Sequence, residues 1–202
     1  MSLRNNTLLS ALFLFWLSST CGNAESLALQ STPTIDVFVY AFPGFSSWIL
    51  EGAETEAARV LRPARIELHW MHCSSEAAPA SCHSPLASHE LVVRFTPSAL
   101  AAADKTSLGA AFTSAGVAFV FCDRVRDLQT SGSLFHMMLG RVLAHEITHL
   151  LLPGVQHSEV GLMRAHWVQD DLRFVSTACL GLTPRSVQLM QQEARRREIA
   201  PR

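Results

Sequence analysis

Short apolar segments and longer amphipathic segments alternate along the chain, and this pattern predicts a mixed fold. Strands are indicated where β-branched and aromatic residues cluster, and helices where apolar residues recur every three or four positions. The predicted strands are Ile35–Ala41, Ile66–Met71, Glu90–Phe95 and Gly116–Cys122, and the predicted helices are residues 46–61, residues 131–152, Ala165–Val175 and Pro184–Ile199. We therefore expect an α/β domain of the α+β type, with a twisted mixed sheet of about four strands and one long helix.

The first residues have the pattern of a signal peptide. Arg4 supplies a positive charge, and Leu8–Leu17 is an apolar run that is too short to span a bilayer. Gly22 and Ala24 are small residues at the positions that a signal peptidase requires, so residues 1–24 are expected to be removed. The mature protein is then secreted or periplasmic and free of the membrane. An uncleaved anchor, or lipidation at Cys21, is the less favoured alternative.

The remaining residues, 25–202, are enough for a single domain with a buried core. The chain has 16 Lys and Arg residues against 17 Asp and Glu residues, so its net charge is close to zero. Its basic cluster, Arg195–Arg197, ends a predicted helix, where positive charge suits the helix dipole. We therefore expect no nucleic-acid partner. The sequence does not determine the oligomeric state.

Four of the five cysteines lie outside the leader, and an even number in an exported chain predicts disulfides. Cys73 and Cys82 flank a polar loop and are expected to pair. Cys122 and Cys179 are then the preferred second pair, although four cysteines permit three pairings. Buried free thiols are the alternative.

The strongest functional signal is the string His-Glu-Ile-Thr-His at residues 145–149, inside the long predicted helix. His145 and His149 are four residues apart on one helix face, so both imidazoles can bind the same metal ion. Glu146 follows the first histidine, where its carboxylate can act as a general base toward water. The string therefore predicts a metal site with a base beside it.

A third ligand is expected from beyond the end of this helix. His157 follows the break at Pro153–Gly154 and can turn back toward the histidine pair. Asp170 or Asp171, on the next predicted helix, is the alternative ligand. Three protein ligands with one open position are typical of a catalytic zinc site rather than a structural one.

Four other histidines, His69, His72, His83 and His89, lie near the second and third predicted strands and the cysteine loop. A second metal could bind among them, but a solvated loop is the favoured interpretation.

The segment HEITHLLLPGVQHSEVGLMR, from His145 to Arg164, resembles the zinc site of the metzincin metallopeptidases. In that family the motif HExxHxxGxxH supplies three histidine ligands and a general base, and a turn containing methionine passes beneath the metal. The matching positions are His145, Glu146, His149, Gly154, His157 and Met163. The third histidine comes two residues later here than in the family motif. The segment is also similar to a group of exported bacterial proteins in which an HEIxHLLL stretch leads to His-Ser and a Gly-(Ile/Leu)-Met-Arg.

This resemblance implies one Zn²⁺ ion and an exported zinc-dependent endopeptidase that hydrolyses a protein or peptide substrate. A catalytically silent zinc-binding protein is the alternative, because Tyr40, the single tyrosine, lies in the first predicted strand and not near the site. Arg164 or His166 could stabilise the carbonyl oxygen instead. A hydrolase with an aspartate as its third zinc ligand is a further possibility.

Overall fold

A computed structural model of the chain describes residues 31–75, 77–128, 134–167 and 181–200. Within these ranges it contains one five-stranded sheet and four α-helices. The strands are β1 (Thr34–Ala41), β2 (Glu67–His72), β3 (Glu90–Thr96), β4 (Gly109–Phe112) and β5 (Val117–Phe121), and the helices are α1 (Ser47–Leu61), α2 (Cys122–Asp127), α3 (Phe135–Leu151) and α4 (Pro184–Ile199). The expected α/β class, with a mixed sheet and a long helix, is confirmed.

The strand order is β2-β1-β3-β5-β4. All neighbouring strands are parallel except β4, which pairs antiparallel with β5 at the edge of the sheet. The sequence analysis missed β4 because Gly-Ala-Ala-Phe lacks the β-branched residues that indicate strands. It also missed α2, a six-residue helix that begins where β5 ends.

Helices α1 and α3 pack against one face of the sheet, where they form the main core with residues such as Val37, Val39 and Leu139. Their backbones approach closely because Gly140 has no side chain: a Cβ there would lie 2.5 Å from the carbonyl oxygen of Ala53. Beside this contact, Arg141 Nε of α3 donates a hydrogen bond of 2.9 Å to the buried carboxylate of Glu56. Helix α3 is thereby fixed along its buried side.

Helix α4 contacts the C-terminal end of α3 through one arginine. Arg197 Nη2 donates a 2.8 Å hydrogen bond to the carbonyl oxygen of Leu150, and its Nη1 donates to the carbonyl of Ser88 at 3.2 Å. Glu193, one turn earlier, accepts a hydrogen bond from Arg197 Nε at 2.8 Å. The guanidinium group therefore joins the last turn of α3 to the segment that leads into β3.

The opposite face of the sheet carries a smaller apolar cluster around Phe38 and Val92. The expected disulfide between Cys73 and Cys82 is present at the edge of this cluster, with Cα atoms 5.7 Å apart. Cys122, the expected partner of Cys179, is a free thiol instead. It is 1% exposed in the main core, and burial raises the pKa of its thiol to about 12. Its side chain packs among core residues rather than reaching a second cysteine. Cys179 itself lies outside the described residues.

Some predicted segments fall wholly or partly outside the described residues. They are the leader, the expected start of the long helix at residues 131–133, and most of the predicted helix Ala165–Val175, of which residues 165–167 are described and are not helical. Among the described helices, none has the length and apolar character needed to cross a membrane.

Candidate metal centre

Helix α3 presents two imidazoles side by side at the boundary of the core. Ile147 and Leu151 are fully buried on the core side, whereas His145 and His149 lie one turn apart on the side that faces a cleft. Their Nε2 atoms are 3.1 Å apart. Because residues four apart lie on the same face of a helix, the two imidazoles point to one place, as predicted.

The segment after α3 returns His157 to the same point. The helix ends at Leu151, and Gly154 and Gly161 adopt φ values of 83° and 81°, a left-handed conformation that favours glycine. The amide of Ser158 donates a 2.8 Å hydrogen bond to the carbonyl of Met163, which closes the loop. His157 Nε2 then lies 3.1 Å from His149 Nε2. We call His145, His149 and His157 the helix site.

The protonation of the helix site fits metal binding. His145 Nδ1 donates a 2.7 Å hydrogen bond to the carbonyl of Leu162, so its Nε2 carries a lone pair. His145 is 9% exposed, and burial lowers the pKa of both His145 and His149 to about 4. Both imidazoles are therefore neutral near neutral pH, which is the form that binds a metal ion.

The geometry and donor type fit a zinc ion. Ligands at Zn–N distances of about 2.0–2.1 Å in a tetrahedral arrangement lie about 3.3 Å apart. The two observed Nε2 separations of 3.1 Å are close to that value. A cation held between these nitrogen atoms would accept a lone pair from each imidazole. Three imidazoles also match zinc in chemical softness.

Glu146 lies beside the helix site and is 5% exposed. Burial raises the pKa of its carboxyl group to about 8. Its side chain lies against the backbone of the edge strand β4: a Cβ on Gly109 would lie 2.6 Å from Glu146 Oε1. Gly109 therefore makes room for the carboxylate, and the sequence analysis missed this residue because it missed β4.

The helix site opens into a cleft with a volume of about 280 Å³. One wall is formed by β4 and the residues before it, and the other by α3 and residues 164–167. The polar residues that line it are Ser107, Thr113, His145, Glu146, His149, His157 and Arg164. The arrangement can hold a cation, a water molecule and an extended chain together.

The other predicted residues fall in different places. Met163 is buried next to Leu162, and its role in a turn beneath the metal stays a prediction. Tyr40 is excluded from the site because its hydroxyl donates to the carbonyl of Cys82 at 2.7 Å, on the opposite face of the sheet. His166 contacts Thr106 Oγ1 at 3.3 Å and lines a neighbouring cleft. Asp170 and Asp171, the alternative ligands, lie outside the described residues.

The fold is similar to three solved structures of metal-dependent peptidases. Archaemetzincin from Methanopyrus kandleri superposes with a TM-score of 0.55 at 16% identity, over 80% of this chain and 96% of the other. A zinc-dependent peptidase from Methanocorpusculum labreanum gives 0.53 at 14% identity, over 76% and 99%. Metalloproteinase-II from Bacteroides fragilis gives 0.51 at 12% identity, over 80% of this chain but 53% of the other.

These likenesses define the class of fold: the chain has the fold of a zinc metallopeptidase. No protein-family model and no curated protein matches the sequence. Since identity to the three structures is below one fifth, they show the fold alone.

Proposed function

We propose that the protein is an exported zinc-dependent endopeptidase. The observation that carries the proposal is the convergence of three imidazole Nε2 atoms beside the buried carboxyl group of Glu146, in a cleft whose wall is an edge strand. The peptidase names of the three structural neighbours support the same reaction class. In this proposal His145, His149 and His157 hold the ion and leave one coordination position open.

Zinc in such a site polarises a carbonyl group and makes water more acidic. Glu146 takes the proton of the attacking water and passes it to the leaving amine. Its carboxyl group would be ionised when the three imidazoles hold a metal cation beside it, despite the burial that favours its neutral form. Arg164, which lines the cleft, is the described residue best suited to stabilise the negative charge that develops on the carbonyl oxygen.

Strand β4 offers a way to align the substrate. It pairs with β5 on one side and forms the edge of the sheet on the other. An extended peptide can hydrogen-bond to such an edge. No residue from Gly109 to Ala111 carries a side chain larger than a methyl group, which leaves room for the peptide backbone. Pairing along a strand needs no free substrate terminus, which supports cleavage within a chain. Met163 supports the floor of the site from its buried position after Leu162.

The activity is tested by incubating the purified protein with an unfolded protein substrate, with and without a chelator. We expect cleavage that the chelator stops and that added zinc restores. Glu146→Ala should bind zinc and cleave nothing, while His157→Ala should lose the zinc ion of the helix site and all activity. A wild-type protein that binds zinc stoichiometrically but cleaves neither an unfolded protein nor a peptide library would instead be a silent binding protein.

Export is tested separately. The proposal predicts that the protein recovered from the periplasm or the medium begins at Glu25, after removal of residues 1–24. Recovery of a chain that keeps its leader in the membrane fraction would contradict it.

A further inference from the structure

A second group of metal-binding side chains lies on the face of the sheet opposite α3. Asp36 of β1 is in register with His69 of β2 on one side and with Glu90 of β3 on the other, and His89 directly precedes Glu90. Side chains paired in register on neighbouring strands point to the same face. That face is the one that carries Phe38, two residues after Asp36, and not the one covered by helices.

The atoms of this group are spaced as ligands of one ion. The ligand atoms of Asp36, His89 and Glu90 all lie within 4.8 Å of one another. We call these three residues the sheet cluster. His89 Nε2 is 3.7 Å from Asp36 Oδ2, which is longer than a hydrogen bond. Two ligands of one zinc ion lie about 3.3 Å apart at a tetrahedral angle and farther apart at wider angles, so this distance suits a shared cation.

A fourth side chain orients the carboxylate of the sheet cluster. His69 Nδ1 lies 3.1 Å from Asp36 Oδ1, the oxygen that does not face His89. An imidazole N–H that donates to one carboxylate oxygen leaves the other oxygen directed at the metal, as is common in the surroundings of metal ligands. His69 therefore acts as a positioning residue rather than a ligand.

The backbone holds the sheet cluster in place independently of an ion. The amide of Asp36 donates to the carbonyl of His89 at 3.1 Å, and the amide of Ala87 donates to Glu90 Oε2 at 2.5 Å. The side chains of Asp36 and His89 are 23% and 26% exposed, so both are partly shielded from water. Glu90 also lines an open surface cleft of about 410 Å³.

We propose that Asp36, His89 and Glu90 form a second binding site for a divalent transition metal ion of the zinc type. Two carboxylates neutralise the charge of the ion, and the imidazole favours a transition metal over calcium or magnesium. The bound ion joins β1 to β3 near the start of both strands and so stabilises the sheet. This site does not depend on the proposed peptidase activity.

The test is the number of zinc ions that the purified protein binds, measured by elemental analysis and by calorimetric titration of the metal-free protein. We expect two for the wild type. The double variant His145→Ala/His149→Ala, which disables the helix site, should retain one ion and should still gain thermal stability when zinc is added. Adding Asp36→Asn to that variant should abolish the remaining binding.

The controls separate ligand loss from loss of fold. His83→Gln changes a histidine outside both groups and should leave the stoichiometry at two, while His89→Gln in the wild type should reduce it to one. If circular dichroism shows that Asp36→Asn or the helix-site variant is unfolded, the number of ions bound by His89→Gln decides whether the sheet cluster binds metal. An ion count in the wild type that neither Asp36→Asn nor His89→Gln lowers would overturn the proposal, whatever the helix site binds.

Discussion

The helix site and the sheet cluster lie on opposite faces of the same sheet and collect their ligands by different routes. The helix site takes all three from residues 145–157, whereas the sheet cluster takes them from Asp36 on one strand, from Glu90 at the start of another and from His89 directly before it. Local helix periodicity creates the first and strand register creates the second. A short sequence pattern can therefore reveal the helix site but not the sheet cluster.

The two groups also differ in charge. An imidazole that binds a metal adds no charge, so an ion held by the three histidines of the helix site would keep its full charge and its ability to polarise a carbonyl. The sheet cluster has two carboxylates, which cancel that charge. In the helix site His145 is buried and His157 is exposed, whereas all three residues of the sheet cluster are half-buried. This difference supports the proposed catalytic role of the helix site and the proposed stabilising role of the sheet cluster.

The largest effect is expected at Glu146. Replacing it by Gln removes the base but keeps the shape of the side chain, so the rate of peptide cleavage should fall by about 10³-fold or more. Zinc stoichiometry should not change. The matched control is Glu159→Gln, which alters an exposed carboxylate in the nearby loop. Equal rate losses in both variants would refute the assigned base.

A smaller loss is expected from Gly109→Ala. The new methyl group would lie 2.6 Å from Glu146 Oε1 and the same distance from the backbone carbonyl of Phe119, so both the carboxylate and the backbone of β4 must move. A displacement of this kind should lower kcat by about 10-fold to 100-fold without loss of zinc. Gly181→Ala is the control, since no atom lies within 4 Å of a Cβ there. Unchanged kcat in Gly109→Ala would show that the strand does not position the base.

Substituting His69 should affect the sheet cluster alone. His69→Gln removes the imidazole that orients Asp36, so zinc affinity of the sheet cluster should fall by about 10-fold in titrations of the His145→Ala/His149→Ala variant. His72→Gln is the control on the same strand, because His72 Nε2 contacts Glu54 instead, at 2.8 Å. Identical affinities for the two variants would contradict the positioning role.

The smallest effect concerns the stability of the metal-free protein. Glu146 has a pKa of about 8 in the folded state and an ordinary value of 4.5, so between these values the folded protein holds a proton that the unfolded chain lacks. This contribution is fully present below pH 4.5 and is lost as the pH rises through 8. Glu146→Gln should remove it. The free energy of unfolding of the variant relative to wild type should therefore rise across this range by more than about 1.4 kcal/mol, the equivalent of one pKa unit. Chemical denaturation at several pH values measures it.

The sequence predicted most of what depends on local pattern. The four-residue spacing located the histidine pair, and the Pro153–Gly154 break after the helix indicated that His157 could turn back. Strands β1, β3 and β5 were visible because they are rich in β-branched and aromatic residues, and β2 was visible because apolar and polar residues alternate from Ile66 to Met71. The confirmed disulfide was visible because Cys73 and Cys82 enclose a short loop.

What the sequence did not reveal depends on pairing between distant segments. Strand β4 forms because it fits beside β5, not because its residues favour strands. The importance of Gly109 follows from that placement. Asp36 and His89 meet only through strand register, so the sequence left a second metal among these histidines as an alternative and favoured a solvated loop. The expected bond between Cys122 and Cys179 was wrong because counting cysteines says nothing about which thiols the core buries.

One arginine near the end of the chain has a practical consequence. The guanidinium of Arg197 bonds to Leu150, the neighbour of His149, and to Ser88, the neighbour of His89. Trimming a few residues from the C-terminus would thus loosen both groups at once, even though neither would lose a side chain of its own. A proteolytic cut in the last turn of α4 that removes Arg197 would abolish both hydrogen bonds.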